Sequence, residues 1–428
     1  MEQTIAAAAG RIEGLARHVL RRPWIDAPVW VMLTALAAVT AMSQAFRTVA
    51  TVVAGELQTE FGASAQALGI FAGAFHLSFA ASQIVIGVAL DVFGPRRTVI
   101  VASTVALLGV AVSAVAPSFP VLVIGQLLIG IGCAPAFLGT IVFVAKRYPA
   151  DQFTRLSGLV LSFSGIGMLL TGTPLAYVVE TWSWRAGFLA LGAVAALVLL
   201  AVVLLVREEP PQPSGERETV REAFRKIGPI LSERHTLGLV MLGLAAYASF
   251  ITLRGLWAVP TLVDRHGFSV VQSGHVVLAM SVAALIGPPL FGLLKVGDRA
   301  RRLWIIGSTL AYAGLFVVLA LAAPSATADI ATTILLGLLS GYFILQYADV
   351  RAAYPGDVAG RAFAVFNTAV FLGVALMQWL TGLVASVATS HGADPFVTAF
   401  ATIATLLVAA TVAFVALPWP PGMRRRGG

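Results

Sequence analysis

One apolar stretch follows another along this chain, each long enough to cross a lipid bilayer. A spanning helix needs about 20 mostly apolar residues. Twelve such stretches occur, at 28–54, 65–90, 97–117, 119–145, 155–180, 186–206, 237–262, 270–295, 303–323, 330–352, 361–388 and 395–417; they are numbered here as spans 1 to 12. The runs are continuous, whereas an outer-membrane barrel would show alternating segments of about ten residues. Composition agrees: 58% of the residues are hydrophobic, 11% are charged, and the mean hydropathy is +0.90. A soluble domain is about 25% charged. These figures exclude a water-soluble globule, a disordered chain and a coiled coil. The single cysteine, Cys133, excludes an intrachain disulfide.

The reading is therefore an all-α membrane protein with twelve transmembrane helices in two pseudo-symmetric six-helix bundles. Residues 1–27 form a basic N-terminal segment without the features of a removable signal peptide. Residues 28–206 form the first bundle, 207–236 a polar linker, 237–417 the second bundle and 418–428 a basic tail. With the N-terminus placed in the cytoplasm, 24 of the 28 lysines and arginines fall on the inner side. Arg185 and Arg265 fall outside, and Arg47 and Arg254 lie within spans. Basic residues mark cytoplasmic segments, so both termini are expected inside. The net charge of +8 is then a topology signal, and no nucleic-acid partner is expected.

The two bundles repeat one another. Gly62-x-Ser64-x4-Gly69 recurs as Gly267-x-Ser269-x4-Gly274, an offset of 205. Tyr148-Pro149-x-Asp151-x3-Arg155 recurs as Tyr354-Pro355-x-Asp357-x3-Arg361, an offset of 206, and Arg47 and Arg254 are 207 apart. Spans 1 and 7, 2 and 8, and 5 and 11 are thus equivalent. Two similar bundles with a site between them can rock about that site.

The link after span 2 reads Gly87-Val-Ala-Leu-Asp91-Val-Phe-Gly94-Pro-Arg96-Arg97. This resembles the signature loop of the major facilitator superfamily. Gly130-x-Gly132 in span 4 and Trp184-Arg185-x-x-Phe188 after span 5 look like that superfamily too, and the resemblance covers essentially the whole chain. Two departures are visible. Gln126 stands where span 4 usually carries an arginine, and the second copy of the loop, Gly292 to Arg302, is degenerate with Asp298 displaced. The resemblance implies a cytoplasmic gate formed by Gly87, Asp91, Gly94, Arg96 and Arg97, with Asp151, Arg155, Asp357 and Arg361 in the same layer. A plainer reading is topology alone, with Asp capping the ends of spans 5 and 11.

A charge inside a span costs about 2.5–3.5 kcal/mol on insertion scales, so it is a functional candidate by default. No carboxylate lies clearly near the midplane. Arg47 sits about 17 residues beyond Trp30, roughly 26 Å along a helix, and Arg254 is at the equivalent depth. Paired guanidiniums without acids suit a carboxylate or phosphate. Organic anion and organophosphate transporters of the superfamily carry similar arginines, and Arg254-Gly-Leu-Trp257-Ala-Val-Pro260 resembles their span 7. The alternative is snorkelling to the outer interface or pairing with Glu56.

Gln44, one turn before Arg47, Tyr247, Trp257, Gln126, Tyr342, Gln346, Asn367 and Gln378 are the further candidate substrate contacts. His76 in span 2 is a candidate for proton coupling. No nucleophile–base grouping, metal-ligand spacing or phosphate-binding loop is present. No enzyme activity, cofactor or metal is expected. The function expected is secondary active or facilitative transport of a small organic anion by alternating access, in a monomer, with a proton or sodium as possible co-transported ion. A bacterial inner membrane is the expected location. Two alternatives stay open: a proton-coupled efflux antiporter for amphipathic compounds, and a non-transporting membrane sensor or assembly partner.

Overall fold

In the computed structural model the described residues are 27–147, 156, 159–160, 163–207, 234–294, 296–321, 325–353 and 356–417. Among them, eleven helices are long and apolar enough to span a membrane. They agree with the expected spans apart from span 5, of which the helices Ile166–Leu170 and Thr173–Thr181 are described. The fold is the all-α, two-bundle architecture read from the apolar runs.

The repeated Gly-x-Ser is a turn with a physical reason. Gly62 (φ 61°) and Gly267 (φ 67°) take the left-handed conformation that ends spans 1 and 7, where a β-carbon is costly. Two residues later Ser64 and Ser269 cap the next helices, accepting from the N–H groups of Ala67 and Gln272, each at 3.2 Å. Spans 2 and 3 form one helical run, Ala65–Ala114, broken at Gly94 (φ 80°, ψ 165°). The glycine of the signature loop is thus the joint between two spans.

Several spans are not straight. Span 1 consists of Ala27–Arg47 and Ala50–Phe61, with a bend at Thr48–Val49. Span 7 contains a π-helical turn at Leu253–Trp257. Both distortions fall at the intramembrane arginines. Spans 4 and 10 are also interrupted, near Ala134 and at Ser340–Tyr342.

The bundles close on each other over the half of the molecule that holds the Gly62 and Gly267 turns. Span 2 packs on span 11 through glycine. A β-carbon on Gly69 would come within 2.4 Å of the Gln378 carbonyl oxygen, and one on Gly73 within 2.9 Å of that of Ala375. Spans 5 and 8 meet the same way, with a β-carbon on Gly274 falling 2.8 Å from Ala176. Thr51 accepts from the N–H of Val259 at 3.2 Å, joining spans 1 and 7. The Glu180 carboxylate accepts from the N–H of Val271 at 2.7 Å, in the first turn of span 8. A carboxylate at a helix N-terminus meets unsatisfied N–H groups and the positive end of the helix dipole.

Candidate functional site

Arg47 ends the first half of span 1 and is 7% exposed. Its Nη1 donates to Gln44 Oε1 at 3.1 Å and its Nη2 to Ser43 Oγ at 3.3 Å. The i−3 and i−4 spacing of Gln44 and Ser43 on one helix face makes these bonds possible. The guanidinium carbon lies 4.6 Å from the ring centroid of Phe79 in span 2 and 4.6 Å from that of Phe371 in span 11. One ring comes from each bundle, so the charge is held at the bundle interface by aromatic faces. Tyr247 of span 7 completes the group, with its ring 6.0 Å from that of Phe371. Its side chain lies near Arg47. Among the described residues no carboxylate pairs with Arg47.

Arg254 is the counterpart in span 7 and is fully buried. Its Nε donates to Ser281 Oγ in span 8 at 2.9 Å. Its Nη2 donates to the Met168 carbonyl oxygen at 2.7 Å and to Thr171 Oγ1 at 3.1 Å, both in span 5. Thr171 is in turn bonded to Thr48 at 2.7 Å. The pseudo-twofold is obeyed: Arg47 meets spans 2 and 11, and Arg254 meets spans 8 and 5. The chemistry differs. Arg47 lies over rings and bonds only within span 1, leaving Nε unbonded, while Arg254 reaches a hydroxyl and a carbonyl of the other bundle that brace the two, leaving Nη1 unbonded. Spans 1 and 7 approach each other between the two arginines, where the place of a β-carbon on Gly255 is 3.2 Å from the Arg47 carbonyl oxygen.

The structure gathers Gln44, Tyr247 and His76 around Arg47, with Gln378 alongside His76. Asn367 lies nearby through Tyr347, whose hydroxyl donates to Asn367 Oδ1 at 3.2 Å. The other sequence candidates have surroundings of their own. Trp257 donates to Thr381 at 3.0 Å and packs on Phe396, within the second bundle. Tyr342 is packed between Tyr312 and Phe343. Gln346 and Gln126 are buried in spans 10 and 4, each 1% exposed. Glu56, proposed as a partner for Arg47, is exposed.

Phe79, Phe371 and Tyr347 were not legible as site residues. Phenylalanine is common here, with 24 in the chain, so one more in an apolar run carries no signal. A signal did exist in spacing. His76 and Phe79 are three apart, and Asn367, Phe371 and Gln378 stand at i, i+4 and i+11, so each set shares a helix face.

In the signature loop, Arg96 donates through Nε to the Val206 carbonyl oxygen at 2.5 Å and through Nη2 to that of Val203 at 2.9 Å. These are orphan carbonyls at the end of span 6. Arg302 does the same in the second bundle, donating to the carbonyl oxygens of Phe414 and Leu417 at the end of span 12. The second copy, degenerate in its letters, keeps this cap. Arg301 beside it bonds Asp349 at 3.0 Å and Asp298 at 2.9 Å, giving the displaced aspartate a partner. Gly87 lies within helix and Arg97 is exposed. Asp151 and Arg155 lie outside the described residues, as do the side chains of Asp91, Asp357 and Arg361.

Comparison with known proteins agrees with this fold. Residues 35–294 match the family profile of the Major Facilitator Superfamily. The chain is 26% identical over 324 residues to the "Probable sulfoacetate transporter SauU" of Cupriavidus necator, covering 72% of this chain and 75% of that one. It is 22% identical over 354 residues to a hexuronate transporter of Bacillus subtilis, covering 78% and 83%. Among solved structures, a D-xylose-proton symporter superposes with a TM-score of 0.73 at 17% identity, over 92% of this chain and 99% of that one. A bacterial homologue of the lysosomal transporter Spinster gives 0.68 at 19% identity, over 90% and 94%. The chain belongs to the Major Facilitator Superfamily and is a multi-pass membrane transporter.

Proposed function

We propose that this transporter carries a small organic anion, a carboxylate, sulfonate or phosphate ester, by alternating access, with Arg47 as the anion's anchor. The observation that carries the reading is the guanidinium of Arg47, nearly buried at the bundle interface, stacked on Phe79 and Phe371, and paired with no carboxylate among the described residues. A cation in such a place lacks a counterion, and arginine presents a fixed fork of donors to an oxyanion. Gln44 and Tyr247 stand where they could contact the rest of the ligand. The similarity to proteins named for sulfoacetate and hexuronate supports the same chemistry.

Arg254 takes a different part in this reading. Its bonds to Met168 and Thr171 hold the outer halves of the bundles together, and they must break when that side opens. With the N-terminus cytoplasmic, as the basic residues indicate, the closed half faces outward and this conformation is open toward the cytoplasm. The caps made by Arg96 and Arg302 lie on that inner side. The protein is read as a monomer in a bacterial inner membrane, with both termini inside.

The test is thermal stabilisation of the purified protein by sulfoacetate, glucuronate and glycerol 3-phosphate, with xylose as a neutral control. At least one anion should raise the melting temperature of the wild type, and Arg47→Gln should abolish the shift. Arg47→Lys should bind more weakly, because lysine lacks the fork. Stabilisation by xylose alone, or by an anion equally in Arg47→Gln, would sink the reading.

A further inference from the structure

The two arginines differ in what meets their Nε. In the second bundle Nε of Arg254 donates to Ser281 at 2.9 Å. The repeat offset of 205 carries Ser281 back onto His76. There the corresponding atoms are both unengaged: Arg47 Nε and His76 Nε2 are buried and make no hydrogen bond among the described residues. His76 is fully buried and shares a helix face with Phe79, over which the Arg47 guanidinium lies. The two side chains are close enough for their charges to interact. Gln378, reaching from the other bundle, is also fully buried and lies alongside His76, with no hydrogen bond of normal length at either amide atom. Buried polar atoms are nearly always bonded. A cluster that is not marks a place where a polar partner enters.

The tautomer of His76 narrows what that partner is. Its Nδ1 lies 3.2 Å from the Ala72 carbonyl oxygen. A carbonyl only accepts, so Nδ1 carries the hydrogen and the neutral ring leaves Nε2 a bare lone pair. An oxyanion brought to Arg47 Nε would be repelled by that lone pair. A proton on Nε2 turns it into a second donor.

We propose that Arg47 and His76 bind one anion together with one proton, the anion's oxygens accepting from Arg47 and from protonated Nε2, with the Gln378 amide as a further donor. This rests on Arg47 being the anion anchor. The coupling is electrostatic and reciprocal. The guanidinium opposes a positive charge on His76, and a bound anion removes that opposition. The proton therefore enters and leaves with the anion, attached to Nε2, with no other bond made or broken. Around this pair, Cys133 of span 4, Tyr247 of span 7 and Tyr347 of span 10 are the titratable groups that feel Arg47. Span 11 contributes the neutral Gln378. The transport mode that follows is symport of one proton with each anion.

Isothermal titration of the purified full chain with sulfoacetate, glucuronate and glycerol 3-phosphate, in two buffers of different ionisation enthalpy, counts the protons taken up. The expected result is about one proton per anion, with affinity falling about tenfold per pH unit above neutrality. His76→Gln should bind the same anion more weakly, with no proton uptake and a flat pH profile. Binding without proton uptake, or uptake that survives in His76→Gln, overturns the coupling and leaves the anion reading standing. Failure of all three anions to bind the wild type overturns both. Should His76→Gln fail to fold, nitrogen-15 histidine spectra of the wild type decide the matter. The anion must convert one buried histidine to imidazolium, and no conversion overturns the proposal.

Discussion

Arg254 of the second bundle donates to the main-chain carbonyl of Met168 in the first, at 2.7 Å, from a fully buried position. This bond and its neighbour to Thr171 join halves that part during transport in the proposed alternating-access cycle. Hydrogen bonds from charged groups are worth about 1.5–3 kcal/mol each. Arg254→Ala should therefore loosen the closed half. Hydrogen exchange should quicken in Thr173–Thr181 and Val270–Gly292 relative to the wild type. Unchanged exchange would show that the glycine contacts alone hold this side shut.

Those glycine contacts make their own prediction. A β-carbon on Gly69 would lie 2.4 Å from a backbone oxygen of Gln378, well inside van der Waals contact. The backbone cannot swing aside as a flexible side chain could. Gly69→Ala should fold, because Gly69 lies in regular helix, yet fail to close on this side. Proteoliposome flux should fall at least tenfold at near-normal expression. Wild-type flux would mean that spans 2 and 11 separate more easily than their packing indicates.

At the same end of the first bundle, Glu60 accepts from Arg185 at 2.6 and 2.7 Å and from the Trp184 indole at 2.7 Å. The bonds from Arg185, then from Trp184, hold the Glu60 carboxyl below its ordinary range. A depressed carboxyl contributes stability above its unfolded pKa and loses it as pH falls through the folded one. Glu60 is 39% exposed, so the contribution is on the order of 1 kcal/mol or less. Glu60→Gln should melt lower than the wild type at pH 7. The gap should narrow once pH drops below about 4, the ordinary carboxylate value. A gap that is constant with pH would assign the effect to shape and not to charge.

Arg96 and Arg302 cap equivalent helix ends, but Arg302 is 8% exposed and stacks on Phe414 at 4.1 Å, whereas Arg96 is half-buried. Removing a donor from buried carbonyls costs more than removing one from carbonyls that water can reach. Arg302→Ala should therefore lower the melting temperature more than Arg96→Ala. The reverse order, in a thermal scan of the two variants, would argue that the first-bundle loop bears more of the inner-side stability.

The spans, the repeat and the position of both arginines were legible because each rests on a local property. Twenty apolar residues must be a helix in lipid, whatever surrounds them. The Gly-x-Ser repeat encodes a left-handed turn followed by a helix cap, and Gly62 with Ser64 behaves as Gly267 with Ser269. A charge in an apolar run is conspicuous by composition alone. The aromatic faces on Arg47 were hidden because their residue type is the background of a membrane sequence. Only the approach of spans 2 and 11 makes Phe79 and Phe371 different from the rest.

The sequence by itself determined that this is a twelve-span, duplicated membrane protein with two arginines that need a reason to be buried. It presented those arginines as a symmetric pair. The tertiary structure decided that their surroundings differ, since one lies over rings at the bundle interface and the other bonds to oxygen acceptors of the facing bundle. The physical reason is that a guanidinium's role is set by the groups that replace its water. Those groups come from spans 2, 5, 8 and 11, more than 20 residues away in the chain; Phe79 and Ser281 are brought there by packing within a bundle, and Phe371, Met168 and Thr171 by the closure of one bundle on the other.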